Sequence, residues 1–317
     1  MATYIVTGSS GYIGSVLCKR LKELNHTVVA VDLDPPRHKY YDRAIETNYS
    51  KEDRLAVEVK YCDGIFHLAA SSLLNPSLED PLSYYENNVA SFYRFLRIIH
   101  HYNPKVPMVF ASSAAVYGES AKTCYASSSR CNPINPYGFT KLQAEQALND
   151  ITKYTGAVPH ISFRFFNVAG GYGDVGHPIN RPALLTSLSR AVVENRDFTQ
   201  YGNNIRDYIH VLDVCSGLIT GMESIKEDTS ESLNLCSGVL TPTSSVVEMF
   251  KFFTKNEFNV ILGETRAGDP EILKGDNHYT KSYLSVGRSP WGWRPEHSNW
   301  KDIIESHWEF VKYDRNL

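Results

Sequence analysis

The chain lacks most of the features that would place it outside a cell, in a membrane or on a nucleic acid. Its six cysteines (Cys18, Cys62, Cys124, Cys131, Cys215 and Cys236) form no Cys-x-x-Cys pair and no tight cluster. That argues against a zinc site or a disulfide framework and for reduced thiols. The longest apolar runs, such as 27–31 and 106–111, fall far short of the roughly 20 residues a membrane-spanning helix needs. Neither sign of charge dominates: 32 Lys and Arg face 35 Asp and Glu, a formal net charge of -3. Such a balance provides no electrostatic attraction to nucleic acid or to an anionic membrane. The opening Met1-Ala2-Thr3-Tyr4-Ile5-Val6-Thr7-Gly8 has neither the basic start nor the apolar stretch of an export signal, so a cytoplasmic location is expected. No internal repeat, low-complexity tract or flexible linker interrupts the chain.

What is present is the composition of an ordinary soluble protein, 317 residues with 42% hydrophobic and 21% charged, enough for one large or two intimate domains. Short β-rich runs at 3–7, 27–31, 64–68, 106–112 and 159–165 alternate with amphipathic stretches such as 13–24 and 84–100. Apolar strands separated by helices predict right-handed crossovers, hence an α/β fold with a doubly wound parallel sheet and helices on both faces. After Phe166 the alternation breaks at a glycine-rich stretch holding Gly170, Gly171, Gly173 and Gly176. Residues 1–168, completed by parts of 205–237, are therefore expected to form a dinucleotide-binding domain. Residues 169–317 would mainly form a smaller α/β lobe, with a ligand cleft between the two.

The first strand runs into Gly8-Ser9-Ser10-Gly11-Tyr12-Ile13-Gly14. Glycines between a strand and a helix allow a tight turn and let a pyrophosphate approach the N–H groups at the helix N-terminus. A glycine triplet alone is weak evidence, but Asp32 ends the next strand, 18 residues beyond Gly14. An acidic side chain there can bind both ribose hydroxyls and repels a 2′-phosphate, so NAD is expected rather than NADP. His67-Leu68-Ala69-Ala70 closes the third strand; its small residues admit the cofactor to the backbone, and His67 is read as a packed histidine. Asn88, on the following helix, offers an amide to the nicotinamide side.

Ser113 leaves the fourth strand at its carboxyl end, where open parallel sheets bind ligands. Tyr137 and Lys141 follow in "NPYGFTKLQAE", one helical turn apart and on the same face. An aromatic and a basic residue at this spacing are usually packing and solvated charge. Beside a dinucleotide, serine, tyrosine and lysine become a proton-transfer set. A free phenol titrates near ~10, and an adjacent ammonium with a positive nicotinamide favours the phenolate.

These motifs resemble the extended short-chain dehydrogenase/reductase superfamily, and within it the UDP-galactose 4-epimerases and related nucleotide-sugar epimerases. The resemblance spans nearly the whole chain through "TGSSGYIGS", "FHLAA", "YYENNV", "SSAAVYG", "NPYGFTKLQAE", "FRFFNVAGG", "RDYIHVLDV", "RAGDP" and "WGWRPEHS". It implies a Rossmann-type fold with tightly bound NAD. Gly8, Gly11, Tyr12, Ile13, Gly14, Asp32, Leu68, Ala69, Ala70 and Asn88 would hold the cofactor together with Tyr137 and Lys141. Ser113, Tyr137 and Lys141 would be catalytic. Asn167 and Ser113 would contact the nucleotide-sugar, Tyr201 would stack on the base, Arg206 and Arg266 would clamp the diphosphate and Asp269 would bond the ribose. Asp207 and His210 read as structural. No metal is implied, and a homodimer is suggested.

Four departures leave the reaction standing and the sugar open. Ser72 replaces a common lysine and Asn48 an aspartate. The connection from Tyr201 to Arg206 is short, and Leu273 holds a position whose bulk influences tolerance of a 2-acetamido group. Dehydration would need an acid and a base just after the active-site hydroxyl residue, where Ala114 and Ala115 stand; neither can transfer a proton. The expected reaction is NAD-dependent 4-epimerisation of a UDP-sugar through a 4-keto intermediate. Decarboxylation of a UDP-uronic acid and a non-catalytic dinucleotide sensor are the alternatives.

Overall fold

The computed structural model describes residues 1–119, 123–264, 270–285 and 292–316. Six strands, β1 (Thr3–Thr7), β2 (Thr27–Asp32), β3 (Arg43–Glu46), β4 (Gly64–His67), β5 (Met108–Ser113) and β6 (His160–Phe165), build most of a parallel sheet. The later strand Ser230–Leu235 pairs with β6 and makes the seventh, giving the order Ser230–Leu235, β6, β5, β4, β1, β2, β3. The doubly wound parallel sheet expected from the alternation of strands and helices is thus observed.

Alternation along β1 explains why the sheet needs two helical layers. Val6 points into a cluster with Val16, Leu17 and Leu21 of the helix Tyr12–Glu23, and with Val211, Val214 and Leu218 of the helix Val211–Ser224. Ile5 joins the opposite cluster with Leu55, Val59, Phe92, Phe95 and Leu148. Full burial of each such side chain contributes roughly 1.5–3 kcal/mol, so neither face is left to solvent. The chain moves outward from β1 to β2 and β3, then returns to place β4 on the other side of β1. That reversal opens a crevice at the carboxyl ends of β1 and β4, where the glycine loop lies.

The helix Pro136–Thr155 owes its position to its ends. Asn135 caps it, its Oδ1 accepting from Gly138 N at 2.8 Å, proline occupies the first turn, and Gly156 stops it at φ 64°. Gly138 has no side chain for a reason: a Cβ there would lie 2.5 Å from the carbonyl oxygen of Ala115. This close approach presses the first helical turn onto the 3₁₀ turn Ala114–Tyr117, which begins just after Ser113.

The rest of the chain packs around Leu188, Phe250, Ile303 and Ile304, from the helices Leu184–Val193, Thr243–Thr254 and Trp300–Arg315. The strand Ile205–His210 pairs in parallel with Asn167–Ala169 and Ile272–Leu273 and antiparallel with Leu240–Pro242. Phe198–Tyr201 pairs with Val260–Gly263. The sequence pattern differs from the structure in two places. The run expected as one helix over 84–100 is broken into Pro81–Tyr85, a π turn at Glu86–Ala90 and Ser91–Tyr102. The mostly exposed edge strand β3 has no apolar alternation to reveal it.

Candidate active site

The glycine loop is shaped so that a side chain would not fit. Gly8 has φ 73°, and a Cβ on it would meet Ala69 N at 2.7 Å; a Cβ on Gly14 would lie 2.0 Å from Gly8 O. Gly11 N donates to Gly8 O at 3.1 Å, closing the turn into the helix that starts at Tyr12. Asp32 lies against this loop, its Oδ2 accepting from Ser10 N at 2.9 Å and its Oδ1 from Leu33 N at 2.7 Å. Leu68 N donates to Thr7 O at 3.1 Å and Ala69 N to Thr7 Oγ1 at 3.3 Å, so Leu68, Ala69 and the half-buried Ala70 border the same crevice. A cradle that Cβ atoms would fill, at a helix N-terminus with a carboxylate at the neighbouring strand end, fits an adenine dinucleotide.

Two expected cofactor residues are engaged with the protein. The Tyr12 hydroxyl donates to Gly170 O at 2.7 Å and its ring stacks on His177, with centroids 4.7 Å apart. Asn88 is buried, accepting from Ser71 N at 2.8 Å and donating to Ser71 O at 2.9 Å and Thr140 Oγ1 at 3.1 Å. Its amide thereby fixes the loop that follows Ala70. His67 is packed, as its surroundings in the sequence suggested. Its Nδ1 lies 2.8 Å from Thr7 Oγ1, aromatic rings surround it, and burial, then Lys141, hold its pKa well below the usual value.

Beyond this crevice lies a cavity of about 750 Å³. Its walls bring together Ile13, Ser72, Ser113, Tyr137, Asn167, Tyr201, Arg206 and Leu273 from both halves of the chain. Ser113 accepts from Ala115 N at 3.2 Å and lines the same cavity as Tyr137. Burial pushes the Tyr137 phenol up to about 12, the Ser113 hydroxyl pulling it down and Tyr84 pushing it up. Lys141 donates to Ala111 O at 2.6 Å and sits 4.9 Å from the centre of the Phe110 ring. Burial lowers its pKa to about 7, against the upward pull of Glu145. Burial therefore outweighs the lowering of the phenol expected from the Tyr–Lys spacing, and the resting pair favours a neutral phenol.

Arg206 is buried at the cavity wall, donating to the carbonyls of Ile205, Pro270 and Glu271. Asp207 is structural: its carboxylate accepts from Ser237 N at 2.8 Å, Ser237 Oγ at 2.7 Å and Gly238 N at 2.9 Å. His210 likewise accepts from Leu212 N at 3.0 Å and lies 2.8 Å from Ser306 Oγ. Arg266 and Asp269 lie outside the described residues. The sequence reading missed Arg190 and Arg196, two further cations on the cavity wall, because an arginine on an amphipathic stretch looks like surface charge. It also missed Tyr84, whose ring meets Tyr137 edge-on at 6.5 Å.

Comparison with known proteins agrees with this geometry. Residues 4–236 match the model of the NAD dependent epimerase/dehydratase family. The chain belongs to that family. It is 30% identical to a UDP-glucose 4-epimerase of Lactobacillus helveticus, covering 97% of this chain and 96% of the relative. To a UDP-glucose 4-epimerase of Corynebacterium glutamicum it is 31% identical, covering 97% and 95%. A solved UDP-glucose 4-epimerase of Brucella ovis in complex with NAD superposes with a TM-score of 0.87 at 27% identity, over 98% of each chain. Within the epimerase/dehydratase family, Ala114 and Ala115 separate this site from any chemistry that needs a carboxyl pair beside Ser113.

Proposed function

We propose that the protein catalyses NAD-dependent 4-epimerisation of a UDP-sugar through a 4-keto intermediate. The carrying observation is that Ser113 and Tyr137 line one cavity together with Asn167, Tyr201 and Arg206. Gly8, Gly11, Gly14, Asp32 and the backbone of 68–70 would hold NAD, with Tyr137 and Lys141 reaching its nicotinamide side. When bound, NAD supplies reversible hydride acceptance at the sugar C4.

The chain's own groups handle the proton and the orientation. Tyr137 takes the proton of the 4-hydroxyl and later returns it, so its phenol must ionise during turnover. Ser113 bonds the same sugar oxygen, aligning it with the phenol. A charged Lys141 one turn away favours the phenolate electrostatically. Arg206, with Arg266, anchors the diphosphate while the 4-keto sugar turns to present its other face. Guanidinium suits this role because its planar donors bond phosphate in pairs. Tyr201, half-exposed on the second lobe, stacks on uracil, and Asp269 bonds the ribose.

The cofactor domain is 1–168 with parts of 205–237, and the remainder mainly carries the nucleotide-sugar. A cytoplasmic homodimer is part of the same reading. The dimer is supported by Tyr93 and Phe139, which the helices Ser91–Tyr102 and Pro136–Thr155 leave 41% and 42% exposed.

The test is to incubate the purified protein, without added cofactor, with UDP-galactose and separately with UDP-N-acetylgalactosamine, following each by proton NMR. Conversion to the 4-epimer supports the reading and ranks the sugars. No conversion of either, with NAD confirmed in the protein, overturns it for these substrates. A Tyr137→Phe variant with undiminished turnover would sink the mechanism.

A further inference from the structure

Behind the tyrosine and lysine lies a buried polar chain that the proposed mechanism does not use. Glu145 is one turn beyond Lys141 on the helix Pro136–Thr155 and is 2% exposed. Its Oε1 accepts from Ser112 Oγ at 2.5 Å and from Arg164 Nε at 3.0 Å, and its Oε2 from Arg164 Nη2 at 2.7 Å. Arg164 Nη1 donates to the Tyr117 hydroxyl at 3.0 Å, which donates to Asn234 Oδ1 at 2.7 Å. Asn234 Nδ2 in turn donates to the carbonyls of Cys124 and Asp276.

Such an arrangement is costly to bury, and hydrophobic residues of similar volume would often stabilise the fold as well or better. Its position suggests another use. Ser112 immediately precedes Ser113, so the carboxylate ties the strand end carrying the serine to the helix carrying Tyr137 and Lys141. Arg164 lies three residues before Asn167 on the chain that leaves β6 for the cavity. One negative charge thus joins the elements that present the reacting groups.

We propose that Glu145 is a positioning residue for the reaction, holding Ser113 in register with Tyr137 and Lys141. The inference rests on the assignment of Tyr137 and Lys141 as the reacting pair. The ionisable groups around Lys141 are few. Tyr137 and Glu145 lie on its own helix, buried His67 on β4 and Arg164 on β6. Tyr84 faces Tyr137 from Pro81–Tyr85, while Tyr117 and Cys131 face Arg164. Of these, Glu145 is the one that raises the proton affinity of Lys141 against burial.

The test is Glu145→Gln, measured for kcat and KM from pH 5.5 to 9.5. The sign follows from the charge: without the carboxylate, Lys141 loses its proton at lower pH, so the basic limb of kcat moves to lower pH. A shift of about one pH unit, with kcat down about ten-fold or more at pH 8 and KM within about two-fold, is the expected result. Because Gln leaves Arg164 buried without its partner, the double variant Glu145→Gln/Arg164→Met is measured alongside. It should regain thermal stability while kcat stays low, because Ser112 is still not tied to the helix by a carboxylate. A wild-type pH profile in Glu145→Gln overturns the proposal, and so does a kcat that returns with stability in the double variant. The Lys141 titration, read by ¹³Cε-lysine NMR and assigned with Lys141→Met, needs no turnover. Its midpoint should fall in Glu145→Gln even if neither UDP-sugar proves to be a substrate, and an unmoved midpoint refutes the role of the carboxylate.

Discussion

Replacing Gly14 by alanine should damage cofactor binding far more than it damages the fold. A Cβ at this position would lie 2.0 Å from Gly8 O, 2.8 Å from Gly8 C and 3.0 Å from Ser9 Cα. Real Cβ atoms essentially never come closer than 3.0 Å, so loop and helix must separate by roughly 3.0 − 2.0 = 1.0 Å, and the atoms to be moved are backbone. Overpacking of this kind costs about 1–3 kcal/mol. Alanine returns up to about 1 kcal/mol through its better helix propensity, which leaves a net loss near 0–2 kcal/mol and a fall in Tm of a few degrees. In the proposed function, however, this loop presents N–H groups to the pyrophosphate. A displacement of that size weakens at least one hydrogen bond to a charged group, worth about 1.5–3 kcal/mol, or roughly ten- to hundred-fold in affinity. Gly11→Ala is the control. Gly11 has φ -76°, and its nearest obstacle, Gly8 O, is 3.2 Å away, so a small adjustment accommodates a methyl group. The assay is the molar ratio of dinucleotide to protein after gel filtration, with Kd by titration and Tm by calorimetry. Gly14→Ala that retains NAD with wild-type affinity would refute the assignment of this loop to the cofactor.

Three further outcomes follow from the same site and core. Tyr137→Phe should keep its bound dinucleotide and thermal stability while turnover on UDP-galactose falls by about 10²–10⁴; NMR conversion rates decide it. Leu273 is 8% exposed at the cavity wall, so Leu273→Ala should raise kcat/KM for the N-acetylated sugar relative to the unmodified one by about ten-fold; an unchanged ratio shows that Leu273 does not face the sugar. Burial holds His160, His177 and His210 to about 4 and His307 to about 3, against an ordinary 6.5. Between those values the unfolded chain binds protons that the fold refuses, so stability is lost as pH falls from about 6.5 toward 4. Each histidine contributes at most about 1.4 kcal/mol per pH unit. Asp207, pushed up to about 6 by burial, works in the opposite direction over part of that window. Tm measured from pH 7.5 to 4.5 should decline steeply below 6.5, and a flat profile contradicts the four neutral histidines.

The sheet was legible because its strands are short apolar runs rich in valine and isoleucine, buried on both faces. Those at 3–7, 27–31 and 64–68 end within a residue of the observed strands. The helix bearing Tyr137 was legible from the one-turn spacing of Tyr137 and Lys141, while its cap, Asn135, and its first-turn proline, Pro136, emerge from the structure. The edge strand β3 was not, since both its faces are largely exposed, and the π turn at Glu86–Ala90 leaves no mark on an amphipathic pattern. Within the site, the glycine loop and the Ser113, Tyr137 and Lys141 set carry local spacing that can be read directly. The Glu145–Arg164 pair does not, because its partners are 19 residues apart on a helix and a strand. The same holds for His177, which meets Tyr12 only when the two halves of the chain come together.

That last contact bears on how the protein is made. The glycine loop is encoded within the first 14 residues, yet Tyr12 hydrogen-bonds a carbonyl 158 positions further on and stacks against His177. The sheet beneath it lacks its last strand until Leu235. A nascent chain therefore displays its dinucleotide motif long before it can finish the pocket, since contacts of such long sequence separation form late. A chain cut after Phe166 would keep the motif intact and leave Tyr12 without the carbonyl of Gly170 and the ring of His177.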